Sequence, residues 1–170
     1  MFELKPIERD AIPRALEKAE RYRLLNEPRE ADSICRDVLV IDPANQQALI
    51  CLALAMTDLF PVSGVRPDEA RAVVARMSGA FDRSYYGGVI DERWGKTLLT
   101  QGYERDAVFD CLWRAMEQYQ KAEAIAPHGN DDAVLRWNAC VRIIERHGLA
   151  PTATSCPLDI ESFDDEVPHR

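Results

Sequence analysis

The chain has 170 residues, 46% of them apolar, and a formal net charge of −8. That supplies enough apolar material for one domain with a sizeable core. The acidic balance argues against a nucleic-acid partner, which asks for a basic face, and against electrostatic attachment to an anionic membrane surface.

Ala occurs 21 times and Leu 15 times against five Thr, a balance that favours helix over sheet. No segment alternates with period 2, whereas helical spacings recur between Pro and Gly punctuation. The first predicted helix runs over 13–26, with Leu16, Ala19 and Tyr22 inward, and Glu27 and Pro28 break it. The second runs over 29–41, with Ala31, Ile34, Cys35, Val38 and Leu39 on one face. Asp42-Pro43 ends it, because a residue before Pro is pushed out of helical geometry. The third, over 45–60, is apolar nearly all round and so belongs at the centre. Pro61 to Gly64 reads as a turn. The fourth helix opens on Pro67-Asp68-Glu69 and continues to Met77, with acids suited to its positive end. The stretch 78–90, which holds Tyr85-Tyr86-Gly87-Gly88, reads as irregular. A fifth helix is expected over 91–101, a sixth over 104–125 and a seventh over 130–146, which stops at His147-Gly148. From Pro151 onward the periodicity is lost. Asp159, Glu161, Asp164, Asp165 and Glu166 against Arg170 give that stretch −4 of the total charge. The reading is an N-terminal extension over 1–11, a helical domain over 12–147 and an acidic, disordered tail over 148–170.

The cysteines are Cys35, Cys51, Cys111, Cys140 and Cys156. Their number is odd, no pair has CxxC spacing, and no apolar run of a secretory signal opens the chain. A reducing, cytoplasmic setting is expected, with the first four as buried apolar residues and Cys156 as the reactive thiol. The longest uncharged stretch of the helical part, 43–57, is shorter than the about 20 residues a membrane span needs. No membrane association is expected.

Superposing the even helices reveals a repeat. Ala31, Cys35, Val38 and Pro43 are separated by steps of 4, 3 and 5, and Ala115, Tyr119, Ala122 and Pro127 by the same steps. Ala70, Val74 and Met77 follow suit, with Asp82 where Pro would fall. This pattern resembles the tetratricopeptide repeat, a helix–turn–helix unit of about 34 residues. Ala19 and Tyr22 match the small and aromatic positions of its first helix, and Val40 to Asn45 looks like its repeat junction. Ala124 to Asn130 looks like a second junction, and Trp94 matches the aromatic start of the third repeat's first helix. Intervals of 39 residues (Ala31 to Ala70) and 45 residues (Ala70 to Ala115) call for a longer turn near 61–65 and an insertion, or lengthened helices, near 82–90. The resemblance covers 12–147 and implies an all-α, right-handed superhelical solenoid of about three repeats, closed by a C-terminal capping helix.

Catalytic motifs are not evident. His128, His147 and His169 lie near helix ends or in the tail, without metal-ligand spacing, so no metal site is expected. Gly95-Lys96-Thr97 echoes a phosphate-binding loop, but Ile90 stands where that loop needs Gly. No cofactor is expected and the chain is read as a non-enzyme. In the tetratricopeptide family the first helices of each pair line a concave groove that takes a peptide. The matching positions are Leu16, Glu20 and Arg23, then Ile50, Leu54, Thr57 and Asp58, then Leu99 and Tyr103, and finally Asn138, Val141 and Arg142. Leu16 and Glu20 stand where family members that clamp chaperone carboxylates carry Lys and Asn, so that ligand is not expected. A second candidate is the loop Arg83, Tyr85 and Tyr86, whose paired tyrosines offer rigid contact area; its plain alternative is a linker whose rings cover neighbouring repeats. The implied function is an adaptor or scaffold holding a protein segment. The alternatives are a homodimeric or higher structural subunit, and a small-ligand or enzymatic role at the tyrosine–glycine loop.

Overall fold

The computed structural model describes residues 2–151. The expectations for Cys156 and for the acidic stretch lie outside the described residues, apart from 148–151. After a short 3-10 turn, Arg9–Ala11, come seven helices: α1 (Ile12–Leu24), α2 (Pro28–Ile41), α3 (Gln46–Ser63), α4 (Pro67–Val74), α5 (Ala80–Thr100), α6 (Arg105–Glu123) and α7 (Asp132–His147). The described residues contain no strand.

Helix boundaries follow local chemistry. Asn45 caps α3, its Oδ1 accepting from the Ala48 amide at 3.0 Å. Pro28 begins α2 instead of only breaking α1, because a first-turn Pro has no amide to lose. Pro61 lies within the last turn of α3, so 61–63 continue the helix that the sequence ends at Phe60. Only one ladder bond is forfeited there, close to the helix end.

Three turns share one conformation. Asn26, Gly64 and Gly102 all have positive φ, at 61°, 68° and 75°. They fall at two equal intervals of 38 residues (26 to 64, 64 to 102) and separate α1 from α2, α3 from α4, and α5 from α6. At the first, the Asn26 and Glu27 amides donate to the Arg23 and Tyr22 carbonyls; at the third, Gly102 and Tyr103 donate to Leu99 and Leu98. This is the bonding of a left-handed helix terminus, which Gly and Asn tolerate.

The largest correction concerns 78–90. The stretch holding Arg83, Tyr85 and Tyr86 is not a loop: α5 begins at Ala80 and carries the tyrosines and glycines inside its first three turns. Trp94 consequently sits mid-helix, not at a helix start. Glycine disfavours helix by about 1 kcal/mol relative to Ala, but tertiary contacts override that here. A Cβ on Gly88 would stand 2.6 Å from the Tyr119 ring, and one on Gly95 would stand 3.1 Å from the Cys111 Cβ. The two glycines let α6 press close along α5. Phe81 and Tyr85, one turn apart, stack at 5.6 Å. Lengthened α5, not an inserted loop, accounts for the wider third interval.

The substantial helix contacts join neighbours in sequence, together with α1 to α3 and α3 to α5. Two buried clusters result. One is drawn from α1 to α4 with Ile90 of α5; the other comes from α5, α6 and α7 with Leu149. Tyr86 and Trp94 pack against both, and Trp94 meets Phe60 edge-on at 5.5 Å. The residues aligned by the repeat are core residues throughout: Ala31, Cys35, Val38, Ala70, Val74, Met77, Ala115, Tyr119 and Ala122 are all buried. Cys51, Cys111 and Cys140 are buried too.

Candidate functional site

Residues of α1, α3 and α5 meet on one face through a chain of charges. Asp58 sits at its centre. Its Oδ2 accepts from Arg23 Nε of α1 at 2.9 Å, and its Oδ1 pairs with Arg93 of α5. Arg93 also donates to Thr57 Oγ1 at 2.8 Å, and Thr57 donates to the Leu54 carbonyl at 2.7 Å. One carboxylate thus ties together three helices that are not consecutive. Two clefts flank it. One, of about 230 Å³, is lined by Glu20, Arg23, Leu24, Gln47, Ile50 and Leu54 with Cys51. The other, of about 310 Å³, is lined by Thr57, Asp58, Arg93, Lys96, Thr97 and Thr100 with Asn26 and Pro61. Glu20 accepts from Gln47 Nε2 at 2.9 Å across the first.

A second charge chain continues the face toward α7. Glu92 is fully buried, yet its carboxylate pairs with Lys96 one turn on and with Arg136 of α7 at 3.3 Å, and it accepts from the Tyr119 hydroxyl at 2.6 Å. A buried carboxylate is tolerable only with such partners. Burial, reinforced by the Glu92 charge, holds the Tyr119 hydroxyl well above the usual tyrosine range. Burial by itself would lower the Arg136 guanidinium. Its hydrogen bond with Tyr85 and the Glu92 charge reverse this and raise it.

On the other side of α5, Asp91 pairs with Arg71 and lies 3.7 Å from Arg114 Nε. These groups border the largest cleft, of about 610 Å³, between the α3–α4 turn and α5, where Phe60 and Trp94 form an apolar wall.

The expected groove positions are distributed unevenly. Glu20, Arg23, Ile50, Leu54, Thr57 and Asp58 converge on the α1–α3–α5 face as described. Leu16 does not: it is 3% exposed and belongs to the first core. Leu99 packs into the second cluster, and Tyr103 is exposed just past the end of α5. Asn138 and Arg142 are exposed on α7 and Val141 is half-buried there, with none of the three in the charge chains. Arg83 donates to the Met77 and Ser78 carbonyls at 2.7 and 2.8 Å, tying the start of α5 to the end of α4. Tyr85 and Tyr86 are half-buried, and Tyr85 lies 6.0 Å from the Tyr119 ring. Burial raises the Tyr86 hydroxyl above its ordinary range.

The groups that reading the sequence missed are Glu92, Arg93, Lys96 and Arg136. A helix counted from Ala80 places Tyr86, Arg93, Thr97 and Thr100 along one stripe by i, i+3/i+4 steps. A helix counted from Asp91 hides that register.

No group of three or more His, Cys, Asp or Glu among the described residues is arranged to hold a metal ion, and no described helix is long and apolar enough to cross a membrane. Compared with known proteins, the chain matches no family model, and no curated protein or solved structure gives a significant match.

Proposed function

We propose that this chain is a right-handed solenoid of three tetratricopeptide-like helix pairs, α1–α2, α3–α4 and α5–α6, capped by α7. It acts as an adaptor that holds a segment of a protein partner against the α1–α3–α5 face. The observation that carries this reading is the set of left-handed turns at Asn26, Gly64 and Gly102, each within one helix pair and 38 residues from the next. The pattern of contacts supports it. The first helices of the pairs touch in series, α1 to α3 to α5, and the second helices have no comparable contact with one another. Closer packing along one side curves a stack toward that side, which makes the α1–α3–α5 face the inner one. The role is binding rather than catalysis: Ile50 and Leu54 offer half-buried apolar contact, and Glu20, Gln47, Arg23 and Arg93 set the register of a bound backbone. A cytoplasmic location accompanies this reading.

Selection of a random peptide display library on the full chain tests it. Selected peptides are expected to bind wild type and to lose at least about tenfold affinity, or about 1.4 kcal/mol, on Ile50→Ser/Leu54→Ser. Val40→Glu, on the exposed outer side of α2, should leave binding unchanged. Equal loss in both variants, or no selected peptide, removes the groove reading. A second reading, self-association, has its own observation. Trp113 is 41% exposed on α6 and stacks on Phe109 at 6.1 Å. Light scattering of wild type and Trp113→Ala decides whether that pair joins two copies.

A further inference from the structure

We propose that the acidic segment following Pro151, centred on residues 158–166, docks in cis onto the cationic strip formed by Arg23, Arg93, Lys96 and Arg136. The proposal rests on the groove reading above and supplies an occupant carried by the same chain, so that a partner must displace it.

Charge complementarity carries the argument. Four cations share two carboxylates, Asp58 and Glu92. The acids lie beneath and the cations above: Glu92 is 0% exposed, whereas the Lys96 and Arg136 side chains keep 43% and 34% of their surface. The solvent side of this strip is therefore positive in a chain whose formal charge is −8. Glu20 offsets part of it at the α1 end, so attraction is strongest at the α5–α7 end. The segment brings Asp159, Glu161, Asp164, Asp165 and Glu166, interleaved with Leu158, Ile160 and Phe163. Those apolar side chains suit the neighbouring cleft beside Ile50 and Leu54.

Reach is sufficient. Arg136 stands 11 residues before the last residue of α7, His147 (136 to 147), which is about 17 Å at 1.5 Å per residue. Pro151 to Asp159 spans eight residues (151 to 159), up to about 26 Å when extended. The first acid can therefore come alongside Arg136 and Lys96, and the later ones alongside Arg93. Solvated ion pairs are individually weak, about 0.2–1 kcal/mol each. A tether that supplies a local concentration of order mM makes a few of them enough.

The experiment uses the full chain. Cys35, Cys51, Cys111 and Cys140 are buried, so a nitroxide reagent under native conditions is directed to Cys156, with Cys156→Ser as the labelling control. The ¹⁵N amide signals of Arg93, Lys96 and Arg136 should broaden and should recover when the label is reduced. They should also recover in about 0.5 M salt, where the screening length falls to a few ångströms. They should remain sharp when Asp159→Asn, Glu161→Gln, Asp164→Asn, Asp165→Asn and Glu166→Gln are combined, a variant that alters none of the described residues. Broadening confined to the end of α7, broadening spread evenly over the surface, or persistence in the amide variant overturns the proposal. So does broadening of an unlabelled ¹⁵N chain by added labelled ¹⁴N chain, which makes the occupant a second copy. The peptide selection reports on the groove independently, so failure of self-docking leaves that reading standing.

Discussion

The two halves of this molecule are held together by different physics. Around α1 to α3 the core is aliphatic and small: Leu16, Ala19, Ala31, Cys35, Val38, Leu49 and Leu52 close it without a buried charge. Around α5 to α7 the core closes over Glu92, Tyr119 and two glycines on which α6 rests. The first half shows how apolar periodicity alone specifies packing. The second shows that a polar group can sit at zero exposure when three partners are placed by three different turns of helix. Its tolerance for change should be narrower in geometry and broader in hydrophobicity.

The largest expected effect tests the first half. Leu52→Ala removes a buried side chain with no polar partner to rearrange, and should cost about 2–5 kcal/mol of unfolding free energy in urea titration. A cost near zero would mean the cluster collapses freely around the gap.

The second test separates the halves by pH. Burial pushes the Cys140 thiol up to about 12, and the Glu92 charge adds to this. A group whose folded pKa is raised stabilises the fold fully below its unfolded pKa, here about 9, and loses that contribution as pH rises toward 12. Stability should therefore fall above pH 9. Replacement by Ala should flatten the slope by up to about 1.4 kcal/mol per pH unit. The comparison is of slopes, so any packing loss from Cys140→Ala does not confuse it. Identical slopes would show the thiol to be reached by solvent.

The smallest and sharpest test is a pair of adjacent glycines. Gly88→Ala drives a methyl into the Tyr119 ring and should cost about 1–3 kcal/mol. Gly87→Ala meets nothing closer than Gln118 Oε1 at 3.8 Å and should stabilise by about 0.5–1 kcal/mol through helix propensity. Two changes of the same sign would place the α5–α6 contact elsewhere.

Much of this was legible in the sequence because it is local. The all-helical class, the positions of α2, α6 and α7 within one to three residues, and the burial of Ala31, Cys35, Val38, Ala115, Tyr119 and Ala122 follow from spacing and from Pro and Gly punctuation. The site was half legible. Arg23, Thr57 and Asp58 were placed on one face by helical register, and they do meet. Their third partner, Arg93, was not found, because Tyr85-Tyr86-Gly87-Gly88 carries loop chemistry by composition and pushed the start of α5 eleven residues late, from 80 to 91.

What the sequence determined by itself is therefore the set of amphipathic units: each helix's apolar stripe is written in its own residues, and its ends in nearby caps. What only the tertiary structure decided is how α5 behaves. Its glycines are helical because α6 needs the space, and Glu92 is buried because Tyr119, Lys96 and Arg136 arrive to pair with it. Those causes lie up to 44 residues away in the chain, beyond the range of any local propensity, and only packing brings them together.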